Sequence, residues 1–328
     1  TANISGQTVL SVSNQNISDM TGIEDFDSLE LLNCGNNSLS TINLNYNTSL
    51  RLLTIDTNLL SSLDLSSNTS LTNLICSNNQ LTSLDVSQST DLLDLNCSNN
   101  QLTSLDVSAN TDLYLLFCED NQLTNLDVSA NTALRFLICY DNKLTSLDVS
   151  QGTALEILVC DSNQLTSLDI SQNTALKGLF CSNNQLTTLD VSQNTALTGL
   201  DCDSNQLTSL DLRNGNNTNL TTFEATNNPN LYCISVDDVA WSTANWTVAN
   251  GNIDGQTSFS ENCEAKTYVP DDNFEAYLET HDASGNTVSI GDPTSMGDGI
   301  ASNDSVLTAN ISGVDSINLS NSNAGYGV

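Results

Sequence analysis

Positive charge is scarce in this chain: lysine and arginine together number 6, against 39 aspartates and glutamates, for a net charge of −33 over 328 residues. Such a surface repels nucleic acid and anionic lipid headgroups, so neither is expected as a partner. There is one histidine, His281, so neither a Ser-His-Asp triad nor a histidine-based metal centre can be assembled. GxSxG and P-loop motifs are missing, and Gly297 and Gly299 lack the third glycine of a dinucleotide fingerprint. No enzyme is expected. No apolar run approaches the ~18 residues of a membrane helix, so no membrane span is expected. No secretory leader is visible, and the chain reads as a piece of a longer protein.

What is present is a period. Cys76, Cys97, Cys118, Cys139, Cys160, Cys181 and Cys202 follow one another at steps of 21, and the same step reaches back to Ile55 and Cys34 and forward to Phe223. One coil, Leu134 to Leu147, reads LRFLICYDNKLTSL, with Leu134, Leu137, Cys139, Leu144 and Leu147 apolar. Leu137 and Cys139 alternate at the strand period and are expected to point inward, while the residue between them points outward. An asparagine follows in every coil, from Asn37 through Asn121 and Asn205 to Asn228. A turn entering the core leaves backbone groups unpaired, and a buried asparagine amide can satisfy them. One coil cannot bury its own apolar face, so the coils must stack, and an apolar ladder this strict argues against disorder despite the charge.

A period of this length on a Leu/Asn skeleton is the signature of a leucine-rich repeat solenoid. The units, such as CSNNQLTTLDVSQNTAL at 181–197, resemble those of secreted flavobacterial leucine-rich repeat surface proteins over about residues 9–236. The longer first coil, SVSNQNISDMTGIEDFDSL, is similar to the first coil of such arrays. The resemblance implies a right-handed superhelix of about eleven coils. A parallel β-sheet would lie on the concave face, with β or irregular chain elsewhere.

The array is expected to span 1–232. Its ladder cysteines are read as free buried thiols. Cys233 and Cys263 lie outside the period and bracket the only stretch with tryptophan. Residues 233–263 are read as a C-terminal cap closed by a Cys233–Cys263 disulfide, which would imply an oxidising compartment. The resembling proteins end their arrays with a similar NPNLxC…NC segment. Residues 264–328 are read as a linker followed by the N-terminal cap and first coil of a following array. There TYVPDDNFEAYLE offers an amphipathic helix with Phe274, Tyr277 and Leu278, and TANISG at 308–313 repeats the opening TANISG.

An aspartate ladder, Asp64, Asp85, Asp106, Asp127, Asp148, Asp169, Asp190 and Asp211, forms an outward stripe. It is read as solvated and bonded to neighbouring Ser and Thr, with calcium between coils as the rival. No cofactor is required. A separate calcium candidate is the Gly-rich loop with Asp292, Asp298, Asn303 and Asp304, although its spacing is not that of an EF-hand.

The outward strand positions break the pattern. The middle coils place Leu115, Phe117, Phe136, Ile138, Tyr140, Ile157, Val159 and Phe180 there, with Arg135 and Lys177 beside them. A contiguous apolar patch on a solenoid marks an interaction surface. The expected role is an extracellular or cell-surface recognition or adhesion module binding a protein or glycan. The rival is a structural subunit of a surface fibre, self-associating head to tail through 267–328.

Overall fold

The computed structural model describes residues 6–263, 266–268, 272–282, 284, 286–290, 295–297 and 305–307. The chain divides into two compact units, 1–261 and 262–328.

The first unit is a solenoid. Short strands follow one another as β1 (Val9–Ser11), β2 (Leu31–Asn33), β3 (Leu52–Thr54), β4 (Asn73–Ile75), β5 (Asp94–Asn96) and β6 (Leu115–Phe117). The series continues with β7 (Phe136–Ile138), β8 (Ile157–Val159), β9 (Gly178–Phe180), β10 (Thr188–Asp190), β11 (Gly199–Asp201), β12 (Ser209–Asp211) and β13 (Thr222–Glu224). All but β10 and β12 join one parallel 11-stranded sheet. The central residues of the strands face inward: Leu53, Leu116, Leu137, Leu158 and Leu200 are fully buried, as are the ladder cysteines that follow β2, β4–β9 and β11. Each buried leucine contributes about 1.5–3 kcal/mol. Stacking sums these small terms into one continuous core.

The asparagine ladder does what its position requires. Asn121 donates from Nδ2 to the carbonyls of Cys97, Cys118 and Glu119 at 3.1 Å each, and its Oδ1 accepts the Leu102 N–H at 2.9 Å. One amide thus ties two adjacent coils. The residue before each ladder asparagine is left-handed, with φ of 51° at Asn36, 54° at Asn78, 52° at Asp120 and 48° at Asp141. Asparagine tolerates that region better than most residues, which explains its recurrence in this column.

Four features sharpen or correct the sequence-based expectation, the third agreeing with the β or irregular chain expected away from the main sheet. First, a second buried asparagine ladder exists. Asn110 donates to the carbonyls of Val86 and Ser89, and Asn131 to those of Val107 and Asn110. Second, the final coil is longer. Leu179 pairs with Leu200, a step of 21, but Leu200 pairs with Phe223, a step of 23. Phe223 therefore continues the leucine column, and buried Ala225 takes the cysteine's place. The extra residues lie in the RNGNNTN turn, where Gly215 has φ +75°. Third, the side away from the main sheet is irregular in most coils, yet at its C-terminal end β10, β12, β14 (Cys233–Ser235) and β15 (Ser258–Ser260) form a second parallel sheet. Fourth, the outward apolar side chains of β6–β9 are half-buried rather than exposed.

The open end of the coils is covered by helix α1 (Val239–Asn245), started by Asp238 accepting the Trp241 N–H, and by the chain leading to β15. Trp246 is buried against Phe223, with ring centroids 4.4 Å apart, and against Trp241 and Phe259. Asp254 accepts the N–H groups of Asn227 and Asn228, replacing the carbonyls that a further coil would supply. Cys233 and Cys263 are joined in a disulfide.

In the second unit, β16 (Lys266–Tyr268) pairs antiparallel with β17 (Ser305–Leu307), and α2 spans Asp272–Glu279. Leu278 of this helix is buried and Phe274 is exposed. The His281 ring stacks on Tyr277 at 4.0 Å. The calcium candidates Asp292, Asp298, Asn303 and Asp304, and the repeated TANISG segment, lie outside the described residues.

Candidate recognition surface

Stacking in register turns each outward position into a column. Along the first, Leu115, Phe136, Ile157 and Gly178 are successive partners, and Leu93 and Tyr114 lie just before their strands. Along the other, Phe117, Ile138, Val159 and Phe180 follow one another and give way to Asp201 and Glu224. The strands therefore gather Leu115, Phe117, Phe136, Ile138, Ile157, Val159 and Phe180 into one block. Successive residues of a column, on adjacent strands, lie about 4.8 Å apart, close enough for these side chains to half-bury one another. Phe180 does not project freely. A Cβ on Gly178 would lie 3.1 Å from its ring and one on Gly199 3.6 Å from it, so the ring rests over two glycines. Gly178 and Gly199 are buried there and leave the ring the room that side chains would occupy.

The two margins of the block differ. Before the strands, Arg135 and Lys177 both pair with Glu156, at 2.7 and 2.6 Å. The Arg135 guanidinium lies 5.6 Å from the Tyr114 ring centre, and that ring contacts Phe136 at 5.8 Å. Hydrogen bonding from Lys177 is the main reason the Glu156 carboxyl is held below its ordinary value. Tyr114 and Glu156 belong to this margin and were not among the residues singled out from sequence. Their signal was the alternation of charge at positions 135, 156 and 177.

Beyond the cysteines lies an acidic margin containing Glu119, Asp120, Asp141 and Asp161, with Tyr140 among them. Burial pushes the Glu119 and Asp161 carboxyls up, and Asp120 rises through burial and the nearby Asp141. Asp201, at the end of the apolar column, is raised to about 6, chiefly by burial. Tyr140 is raised by burial and by the four surrounding acids. The Glu119 Oε2 is buried without a hydrogen-bond partner. Among the described residues no basic side chain pairs with any acid of this margin.

The aspartate stripe behaves differently. Each Oδ1 accepts the N–H two residues on, as in Asp106 to Ser108 and Asp127 to Ser129, both at 2.9 Å. Hydrogen bonding from the Ser108 and Ser129 side chains, and then from their N–H groups, holds the Asp106 and Asp127 carboxyls below their ordinary values. Among the described residues no group of three His, Cys, Asp or Glu side chains is placed to hold a metal ion. The ladder cysteines are free, and burial pushes thiols such as Cys76 and Cys139 up to about 12. They are packed as small apolar side chains and carry no thiolate near neutral pH.

Comparison with solved structures places the fold among leucine-rich repeat proteins. The functional domain of InlJ from Listeria monocytogenes, described as including a cysteine ladder, is 39% identical with a TM-score of 0.61, over 71% of this chain and 60% of that one. A leucine-rich repeat protein of Leptospira interrogans is 26% identical, TM-score 0.59, over 76% of this chain and 65% of that one. The chain thus matches less than two thirds of the length of either. An internalin of L. monocytogenes, at 21% identity and TM-score 0.52, shares the fold. No protein-family model matches the sequence, and a search of curated proteins finds no match. No helix among the described residues is long and apolar enough to cross a membrane.

Proposed function

We propose that this chain is a recognition module displayed outside the cell, gripping a protein through the outward face of β6–β9. The observation that carries this reading is the unbroken block of Leu115, Phe117, Phe136, Ile138, Ile157, Val159 and Phe180 on four neighbouring strands, where β3–β5 mix Leu52 and Ile75 with Thr54, Asn73, Asp94 and Asn96. An idle solenoid has no need of bulky apolar groups there, and a contiguous apolar area with a polar rim is the usual mark of a binding site. Phe136, Tyr114 and Arg135 form the aromatic–arginine grouping from which interface hot spots are built. The Cys233–Cys263 disulfide favours an oxidising compartment.

The test is a binding array of extracellular proteins and glycans probed with the intact chain and with Phe136→Ser/Phe180→Ser. The reading expects protein hits that the double variant loses, with its melting transition preserved. Hits that survive in the folded double variant place recognition elsewhere. Hits confined to glycans assign the same face to a sugar.

A further inference from the structure

The apolar block and the acidic margin occupy the same coils. After the inward residue that follows the strand, several coils carry a small uncharged pair, as at Ser77-Asn78, Ser98-Asn99 and Ser182-Asn183, while Asp56 and Asp203 are isolated acids at the same position. The coils of β6, β7 and β8 read Glu119-Asp120, Tyr140-Asp141 and Asp161-Ser162. These acids are not required by the fold, because neighbouring coils close the same turn without them. They also oppose it, since burial and mutual repulsion push several of the carboxyls up. Asp161 is tied to the next coil, accepting the Ser182 N–H at 2.6 Å and its Oγ–H at 2.9 Å, as Asp203 in a later coil is bonded by Thr226 and Asn227, so the margin's unneutralised character rests on the lack of a cation and not on a lack of hydrogen bonds. The two cations nearest the block, Arg135 and Lys177, lie on its opposite side and are committed to Glu156. The margin is thus an unneutralised set of carboxylates, one oxygen of Glu119 being buried without a partner, bordering a surface suited to apolar side chains.

We propose that the partner presents a polypeptide segment carrying bulky apolar side chains together with lysine or arginine, the apolar groups seated on Phe117, Phe136 and Ile138 and the cations on Glu119, Asp120, Asp141 and Asp161. This rests on the reading of the β6–β9 face as the binding surface and adds the partner's chemistry. Complementary charge across the margin fixes the partner's register and speeds encounter, and the net charge of −33 steers a basic segment from a distance. The same field excludes sulfated or sialylated chains.

The experiment uses the full chain and three fluorescent peptides: alternating Lys-Phe, alternating Glu-Phe and alternating Lys-Ser. Two variants are compared with it. One restores the coil consensus at the margin: Glu119→Ser, Asp120→Asn, Asp141→Asn, Asp161→Ser. The other removes as many charges from the aspartate stripe: Asp85→Asn, Asp106→Asn, Asp127→Asn, Asp148→Asn. Both keep residues that neighbouring coils already use or that preserve the turn; Asp161→Ser gives up the two bonds from Ser182, and circular dichroism checks that both variants fold. The expected result is tight binding of Lys-Phe only, weakened at least about tenfold by the margin variant and left within about twofold by the stripe variant. Equal weakening by both variants reduces the effect to net charge and overturns the proposal. Tight binding of Glu-Phe, or no binding of Lys-Phe, also overturns it. If Lys-Phe binding survives the margin variant but is lost in Phe136→Ser/Phe180→Ser, the basic partner is wrong while the binding face stands.

Discussion

The two faces of the same strands follow different rules. Inward, the central column runs Leu32, Leu53, Leu74, Leu95, Leu116, Leu137, Leu158, Leu179 and Leu200, and breaks only at Phe223. Outward, one position earlier, it runs Leu31, Leu52, Asn73, Asp94, Leu115, Phe136, Ile157, Gly178 and Gly199. A stacked core fixes the volume available to each inward side chain, because the coil above and the coil below are its walls. The outward column has no such walls, so its residues are free to follow a ligand.

The polar ladders repeat this contrast and give the largest expected effect. Asn121→Ala removes one donated and one accepted bond to the preceding coil and two donated bonds within its own, three of the four buried. Since each unmet buried group costs about 1–3 kcal/mol, a loss of at least about 3 kcal/mol is expected in urea unfolding. Asp127→Ala removes one exposed turn bond and is expected to leave the midpoint unchanged. Similar midpoints for the two variants would break the distinction between a ladder that builds the fold and one that decorates it.

The same distinction predicts the pH response. Burial raises Asp201 to about 6 from an ordinary 3.8, so the folded chain holds a proton that the unfolded chain releases, and stability falls as pH rises through that window. Glu119 and Asp161 act in the same direction. Asp106, Asp127 and Asp148 of the stripe are lowered, so the stability they contribute is present above their ordinary value of 3.8 and is lost as pH falls below it. The melting temperature should rise from pH 7.5 to about pH 5 and fall again below about pH 3.8, with the rise reduced in Asp201→Asn. A melting temperature that falls steadily from neutral pH would contradict these assignments.

Much of this was legible because the cysteine, leucine and first asparagine columns recur at a fixed step. The inward positions and the amide bridges follow from period and polarity alone. The second asparagine ladder repeats almost as regularly, but Ser89 and Gly152 interrupt it, and asparagine before threonine reads equally well as a solvated turn. Its burial depends on how the coil closes, which strand periodicity does not reveal. The two added residues before Phe223 were hidden because phenylalanine suits either inward column. The apolar block could be read, but not its half-buried state or the glycine bed beneath Phe180. Both arise between coils, from residues remote in sequence. The acidic margin was readable as a departure from Ser-Asn, yet in so acidic a chain those residues did not stand out.

Three consecutive residues of one strand, Phe136, Leu137 and Ile138, test the central claim most directly. Phe136→Ser, Leu137→Ala and Ile138→Ser would each be measured for stability by urea unfolding and, at low temperature where all remain folded, for affinity to a protein retrieved from the array. The account predicts that Leu137→Ala, at a fully buried site, loses about 2–5 kcal/mol and keeps its affinity. The two flanking variants should lose affinity and keep most of their stability. If Leu137→Ala weakened binding as much as its neighbours, or the neighbours unfolded the chain as readily as Leu137→Ala, the division of labour between the two faces would be contradicted.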